Sequence, residues 1–242
     1  MNLVLTMAGK YSRFKLFGNK VPKYLLPLGT ETMLSEIIKQ FTRSAPKCKI
    51  LLIANRNDQI FYPIVRSIMG KHEISNKSLI YIDDTSSQLE TALNASDLLH
   101  SEQIESAVAF ANIDTILFER AVFFQSLQSC SPEAGLLDIF KGENNQYSYA
   151  RIEGDGKVVD IVDKSVISNY ACSGLYGFGS YSFMAKMAAD LLRENGKAGF
   201  TDLYKKYITS GKDVNSCIFE DLNNTVVLGT PEEYVINIHR FK

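Results

Sequence analysis

The chain has 242 residues, 45% of them apolar and 22% charged, with a formal net charge of -1. That is the profile of a soluble α/β protein with a well-buried core, and it excludes a global electrostatic pull onto nucleic acid or membrane. No apolar run reaches the length of a bilayer. Cys48, Cys130, Cys172 and Cys217 are too dispersed for a zinc site or a disulfide framework. The chain enters an apolar segment directly, with no charged leader and cleavage site. A reduced, cytoplasmic protein is expected, with no nucleic-acid or membrane partner and with homo-oligomerisation left open.

From the N-terminus, apolar strand-like runs alternate with helical periodicity. Strands are predicted at residues 2–5, 50–54, 79–82 and 108–111, and helices at 33–41, 58–69, 88–99 and 118–128. This alternation argues for right-handed crossovers and a Rossmann-like α/β fold, a central mixed but mostly parallel sheet with helices on both faces. After residue 136 the rhythm changes to strands at 136–140, 147–152 and 158–162, joined by short turns such as Gly154-Asp155-Gly156. Helices at 181–194 and 200–210 then precede a last strand and a terminal helix. No repeat, low-complexity tract or long linker intervenes, so residues 1–242 are expected to form one domain.

The first strand runs into Met7-Ala8-Gly9-Lys10-Tyr11-Ser12-Arg13, and Pro22-Lys23 follows. A small-residue turn at a strand end exposes backbone N–H groups to an anion, and Arg13 and Lys23 add two fixed cations. A polyphosphate needs that combination. The stretch resembles the signature loop of the sugar-phosphate nucleotidylyltransferases, Leu-Ala-Ala-Gly-x-Gly-Ser/Thr-Arg followed by Pro-Lys. Tyr11 stands where that pattern has its second glycine. The resemblance implies a nucleotidyltransferase fold, with Arg13 and Lys23 catalytic and Met7, Ala8, Gly9, Lys10 and Ser12 binding nucleotide.

Further along, Asp114 follows the fourth strand in Ala111-Asn112-Ile113-Asp114. By position alone it reads equally as a Mg²⁺ ligand or as a helix N-cap. The family carries a metal-binding Asp here, commonly after Gly, which makes Asp114 the expected ligand of Mg²⁺, with Mn²⁺ as a substitute. Ser87-Gln88-Leu89-Glu90 resembles the family's base-recognition segment and is also a capping-box pattern. The resemblance gives Gln88 to the nucleotide base.

Asp163-Lys164 resembles the family's Glu-Lys element, and Ser173-Gly174-Leu175-Tyr176 its Gly-Ile-Tyr element. In relatives this region lines the acceptor pocket, which assigns Asp163, Lys164, Gly174 and Tyr176 to acceptor binding. Read without the resemblance, Lys164 is a solvated charge and Gly174 a strand bulge. The close, Gly229-Thr230-Pro231-Glu232-Glu233, is similar to the family's Gly-Thr-Pro-Glu-Asp. It also carries the signals of a capped helix start, with Val227 where many relatives have a second metal-binding Asp. Asp221 and Asn224 are the nearby alternatives for that ligand.

These ordered resemblances imply an enzyme that transfers NMP from an NTP, CTP or UTP/dTTP favoured, to a sugar 1-phosphate with release of pyrophosphate. The setting they suggest is the synthesis of capsule or surface-polysaccharide precursors. Tyr11, Ile113 and Asp163 depart from the sugar-enzyme pattern and leave a small non-sugar phosphomonoester as the alternative acceptor, such as phosphocholine or an amino-acid-derived phosphate. Tyr11 and Val227 together leave a non-catalytic nucleotide-binding relative as a further alternative. A glycosyltransferase would carry Asp-x-Asp, where this chain has Asn112 before Asp114.

Overall fold

The computed structural model describes residues 1–18 and 20–241. Its first half contains β1 (Asn2–Met7), α1 (Ser12–Leu16), the short hairpin β2 (Pro27–Leu28) and β3 (Glu31–Thr32), and α2 (Met33–Ser44). There follow β4 (Lys49–Asn55), α3 (Tyr62–Lys71), β5 (Leu79–Ile82), α4 (Gln88–Leu93), α5 (Ser101–Ile104) and β6 (Val108–Asn112). The second half has β7 (Thr115–Leu117), α6 (Ala121–Gln128), β8 (Gly135–Lys141), β9 (Ser148–Glu153), β10 (Lys157–Asp163) and β11 (Tyr170–Phe178). The chain ends with α7 (Tyr181–Asn195), α8 (Phe200–Thr209), β12 (Val214–Phe219), β13 (Thr225–Val227) and α9 (Pro231–Asn237).

Nine strands form one sheet in the order β5-β4-β1-β6-β11-β8-β12-β10-β9. The first four are mutually parallel. From β6 onward the pairings are antiparallel, except that β12 lies parallel to β8. Helical crossovers are what allow parallel neighbours, and short turns such as Gly154–Gly156 permit only antiparallel ones. Parallel pairing therefore governs one half and antiparallel pairing the other.

The sheet is covered on both sides, as its near-continuous apolar runs demand. Leu3, Leu5 and Met7 of β1 pack on one face with Leu52 and Ala54 of β4, Ala109 and Ala111 of β6, and residues of α2 and α6. Val4 and Ala8 pack on the other with Leu51, Ile53, Val108, Phe110 and the apolar side of α7 and α8. Alternation along each strand separates the two layers.

Three helical expectations change in detail. The segment at 58–69 begins as a 3-10 turn over Arg56–Phe61 and becomes α-helical only at Tyr62, where Pro63 fits the first turn. The helix expected through residue 99 stops at Leu93 and passes into 3-10 turn. The helix expected from 118 starts at Ala121, because the Phe118 amide is given to the distant Asn224 carbonyl beside the β7–β13 pairing. A partner more than a hundred residues away overrides local periodicity there.

Candidate functional site

The chain runs from β1 outward to β4 and β5, then returns to β6 on the other side of β1. That reversal is a topological switch point, where the loops after β1 and β6 diverge and open a crevice at the carboxyl ends of the strands. Residues 8–11 follow β1 and Ile113-Asp114 follow β6, so both flank it. A cavity of about 590 Å³ lies there, lined by Met7, Ala8, Gly9, Lys10, Tyr11, Lys23, Gln88, Asn112 and Asp114 among others. A second, of about 240 Å³, adjoins it through Asn112 and Asp114, and Arg13, Asp163, Gly174 and Tyr176 line it. A third joins both, adds Lys164 and shares Lys197 with the first.

The predicted residues thus gather in one continuous cleft, with one exception. Ser12 opens α1 exposed to solvent and lines none of these cavities. Arg13 lines the smaller cavity and Lys23 the larger. Asp114 belongs to both.

The centre of the cleft is the pair Lys23–Asp114. Lys23 is only 7% exposed, and its Nζ donates to Asp114 Oδ2 at 2.6 Å and to the Gly229 carbonyl at 3.2 Å. The Phe14 ring lies 5.3 Å from the same ammonium. A lysine this buried requires a fixed anion, and Asp114 supplies it. The alternative role of Asp114 as a helix N-cap does not hold, since it sits in the bend between β6 and β7 and Arg120 precedes α6.

The loop after β1 is tied down from the side of β4. Asn55 Nδ2 donates to the Ala8 carbonyl at 3.2 Å and to Asp84 Oδ1 at 2.8 Å, while Lys10 Nζ meets Asp84 Oδ2 at 2.9 Å. Tyr11 adopts left-handed φ and ψ of 37° and 38°, a conformation glycine takes freely and tyrosine at a cost of roughly 1 kcal/mol. Its hydroxyl donates to Asp58, which also accepts from Tyr24. Burial pushes the Asp58 carboxyl up, against the lowering effect of these two hydroxyls. The side chain in the second glycine's place is therefore an anchor drawn to β4.

Gln88 opens α4. Ser87 Oγ accepts from the Glu90 amide as expected, but the Glu90 carboxylate reaches the amide and hydroxyl of Ser86, one residue beyond a reciprocal capping box. The amide nitrogen of Gln88 donates to Thr6 Oγ1 at 2.7 Å and to Asn112 Oδ1. Its amide oxygen has no partner among the described residues.

Beside the smaller cavity, β11 bulges. Between Cys172 and Tyr176 four residues of β11 span two of β8, and Gly174 takes φ of 90°. Gly174 is a strand bulge, and it lines the smaller cavity. Asp163 Oδ1 accepts from Ser148 Oγ at 2.8 Å, and the Lys164 ammonium lies 3.5 Å from Asp163 Oδ2. Tyr176 stacks on Phe200 with centroids 4.6 Å apart.

The ribbon of β7 and β13 closes the floor. Val227 pairs with Thr115, and the Leu228 amide donates to the Asp114 carbonyl at 2.7 Å. Thr230 and Glu233 form a reciprocal capping box on α9. Asp221 and Asn224 do not serve as substitutes for an Asp at 227. Asp221 caps the turn before Asn224, and Asn224 sits at the far end of β13, about 10 Å along the strand from Val227. Glu233 is the acid that does reach the cleft, accepting from Tyr147 OH at 2.9 Å and from the Thr230 amide at 3.0 Å. Among the described residues no group of three His, Cys, Asp or Glu side chains is arranged to hold a metal.

Sequence reasoning missed Lys197, Asn112 and Glu233. Lys197 lies in a Gly-flanked loop before α8 and lines two of the cavities; only its position among glycines hinted at a ligand.

No protein-family model matches the chain, and no curated protein matches it. Solved structures do. A nucleoside-diphosphate-sugar pyrophosphorylase from Vibrio cholerae RC9 superposes with a TM-score of 0.82 at 23% identity, over 98% of this chain and 99% of that one. The chain has the nucleotidyltransferase fold. A putative glucose-1-phosphate thymidylyltransferase from Bacillus anthracis, in complex with a sucrose, gives 0.77 at 15% identity over 99% and 94%. A UDP-glucose pyrophosphorylase complexed with UDP-glucose gives 0.77 at 15% identity over 99% and 97%. At such identities the likeness is one of fold, and residue roles rest on the cleft itself. No helix among the described residues is long and apolar enough to cross a membrane.

Proposed function

We propose that this chain is a nucleotidylyltransferase that joins the NMP part of a pyrimidine NTP to a sugar 1-phosphate and releases pyrophosphate. The observation that carries this reading is the buried Lys23–Asp114 pair at the junction of two cavities, one sized for a nucleotide and one smaller and polar. A cation and a carboxylate at such a junction serve a phosphorus atom that exchanges one oxygen partner for another. The named substrates of the structural neighbours, sugar nucleotides and a sugar phosphate, support the acceptor class.

An acceptor phosphate oxygen attacks the α-phosphorus of the NTP, in line with departing pyrophosphate. The acceptor is already ionised, so the protein supplies alignment and charge neutralisation with no general base. Backbone amides of Ala8–Lys10 hold the triphosphate, and Arg13 and Lys23 neutralise negative charge on the transferring and leaving groups. Lys164 and Lys197 hold the acceptor phosphate from the opposite side.

Mg²⁺ fits Asp114. One carboxylate, about a quarter exposed, suits an ion that keeps most of its water and takes further ligands from phosphate oxygens. Bound there, the ion would polarise the phosphoryl oxygens and draw charge off the leaving pyrophosphate.

The unpartnered Gln88 oxygen favours a base that offers an N–H on its pairing edge, which uracil, thymine and cytosine all do. UTP or dTTP is favoured by the neighbours' substrates, and CTP stays within the same class. The place in metabolism that follows is supply of an activated sugar to a glycosyl-transferring step, such as capsule or surface-polysaccharide assembly in the cytoplasm.

The test is pyrophosphate release from UTP, dTTP and CTP, each with glucose 1-phosphate or with phosphocholine, in Mg²⁺. Release with the sugar phosphate supports the reading. Release with phosphocholine alone replaces the acceptor class, and silence with every pair ends the enzymatic reading.

A further inference from the structure

One residue that no motif singled out lies at the meeting point of the two cavities. Asn112 is the last residue of β6 and lines both. Its orientation follows from a chain of hydrogen bonds that starts at an unambiguous acceptor. The Ala111 carbonyl only accepts, so the Thr6 hydroxyl, 3.1 Å away, donates to it. Thr6 Oγ1 then accepts from Gln88, which must present its amide nitrogen. The second hydrogen of that nitrogen goes to Asn112, which must answer with its oxygen. The Asn112 nitrogen is left on the other side, with two N–H donors and no partner among the described residues.

That side is the bulge of β11. A Cβ on Gly174 would sit 2.6 Å from Asn112 Nδ2, closer than any side chain tolerates, so the glycine keeps the amide clear. The positive φ of 90° gives a second reason for glycine at this position. The bulge and the amide are matched to each other across the β6–β11 seam.

Resting on the nucleotidylyltransferase reading, we infer that Asn112 selects the acceptor by donating a hydrogen bond to an oxygen beside its phosphorylated carbon. The acceptor phosphate has to reach Lys23 and Asp114, and Asn112 is two residues from Asp114. Atoms within about three bonds of that phosphate are therefore the ones the amide meets. A hexose 1-phosphate offers its C2 oxygen there, whereas a phosphorylated amino alcohol offers methylene. A polar donor pair left facing methylene stays unpaired, and a site built this way discriminates against the analogue that lacks the oxygen. The same amide also holds Gln88, so one side chain joins the base subsite to the acceptor subsite.

The experiment compares glucose 1-phosphate with 2-deoxyglucose 1-phosphate, both with UTP and with dTTP, in the wild-type chain, Asn112→Ala and Asn112→Asp. Wild type is expected to show a KM for the deoxy acceptor about tenfold higher, the worth of one hydrogen bond. In Asn112→Ala the two KM values converge. Asn112→Asp keeps the oxygen that Gln88 needs and removes the donors, so it too loses the discrimination. Circular dichroism and melting of each variant separate loss of fold from loss of selection. If wild type treats the two acceptors alike, or if both variants retain the tenfold ratio, the inference is overturned while the enzymatic reading stands. If wild type uses neither sugar phosphate but releases pyrophosphate with phosphocholine, both the acceptor class and this inference fall.

Discussion

The half of the sheet made by β5, β4, β1 and β6 and the half made by β11, β8, β12, β10 and β9 furnish the cleft by different means. On the first side the cleft is lined by the turn that follows a parallel strand, together with the side chains of Lys23, Gln88, Asn112 and Asp114. That turn is held by side chains of its neighbours, namely Asn55, Asp58 and Asp84. On the second side the lining is mainly side chains, set by a bulge in β11 and by the end of β10. A backbone cradle suits a triphosphate, common to every NTP. A wall of side chains suits an acceptor that has to be told from its analogues. The division teaches that chemistry shared by a fold is written in turns, and selectivity in strand register.

A buried ion pair fastens the β7–β13 ribbon to the second half. Arg120 and Asp138 are both fully buried. Arg120 Nε donates to Asp138 Oδ2 at 2.8 Å, its other nitrogens go to the Phe118 and Asn224 carbonyls and to Thr225 Oγ1, and its guanidinium lies 3.7 Å from the centroid of the Phe219 ring. The largest effect is expected here. Arg120→Met should lower stability by about 3–5 kcal/mol in urea titration, because a buried carboxylate loses its partner. A change under about 1 kcal/mol would show that the ribbon does not depend on the pair.

The pair also leaves a pH signature. Burial pushes Asp138 up to about 6 from 3.8, with Arg120 pulling the other way. The folded state then binds more protons than the unfolded state between those values, so this group's contribution to stability falls as pH rises from about 4 to about 6. Comparing wild type with Asp138→Asn across that window should show that slope only in the wild type.

Next in size are the central charges. Lys23→Ala or Asp114→Ala should reduce pyrophosphate release about 10²–10³-fold, with much smaller changes in NTP affinity. Near-normal turnover in either variant would remove that residue from the chemistry and blur the division between the two halves.

Gly174→Ala tests the seam between the two halves. Its methyl group meets Asn112 Nδ2 and an unfavourable φ together, so a loss of about 1–3 kcal/mol is expected. Acceptor KM should rise while NTP KM holds. A variant that weakens NTP binding instead would contradict the separation.

The smallest effect belongs to the first half. Tyr11→Phe removes only the hydroxyl held by Asp58 and should weaken NTP binding several-fold, about 1 kcal/mol, through a looser loop. Acceptor KM should be unchanged in the same assay.

Most of the strands were legible in the sequence. Runs such as 50–54 and 108–111 are apolar throughout, and 136–140 is broken only by Asp138, because both faces of the sheet are covered, and the loop after β1 announces itself through small residues beside Arg13 and Lys23. The helix starts at Ser87 and Thr230 were readable from their caps. The start of α6 misled because Phe118 is tied to the distant Asn224, and the end of α4 was set by packing that its own periodicity does not encode.

The sequence by itself determined most of the strands and helices, though not β11 or the β7–β13 ribbon, that a turn of small residues beside Arg13 and Lys23 follows β1, and that an acid follows β6. These depend on local patterning, capping and turn chemistry, which neighbouring residues encode. Only the tertiary structure decided that Asp114 meets Lys23 rather than a helix end, that Tyr11 is held by Asp58, and that Asn112 faces Gly174. Those pairings join residues 47 to 91 positions apart or bridge an antiparallel seam. They are fixed by strand order and register, which the burial of both sheet faces selects and no single stretch of chain contains.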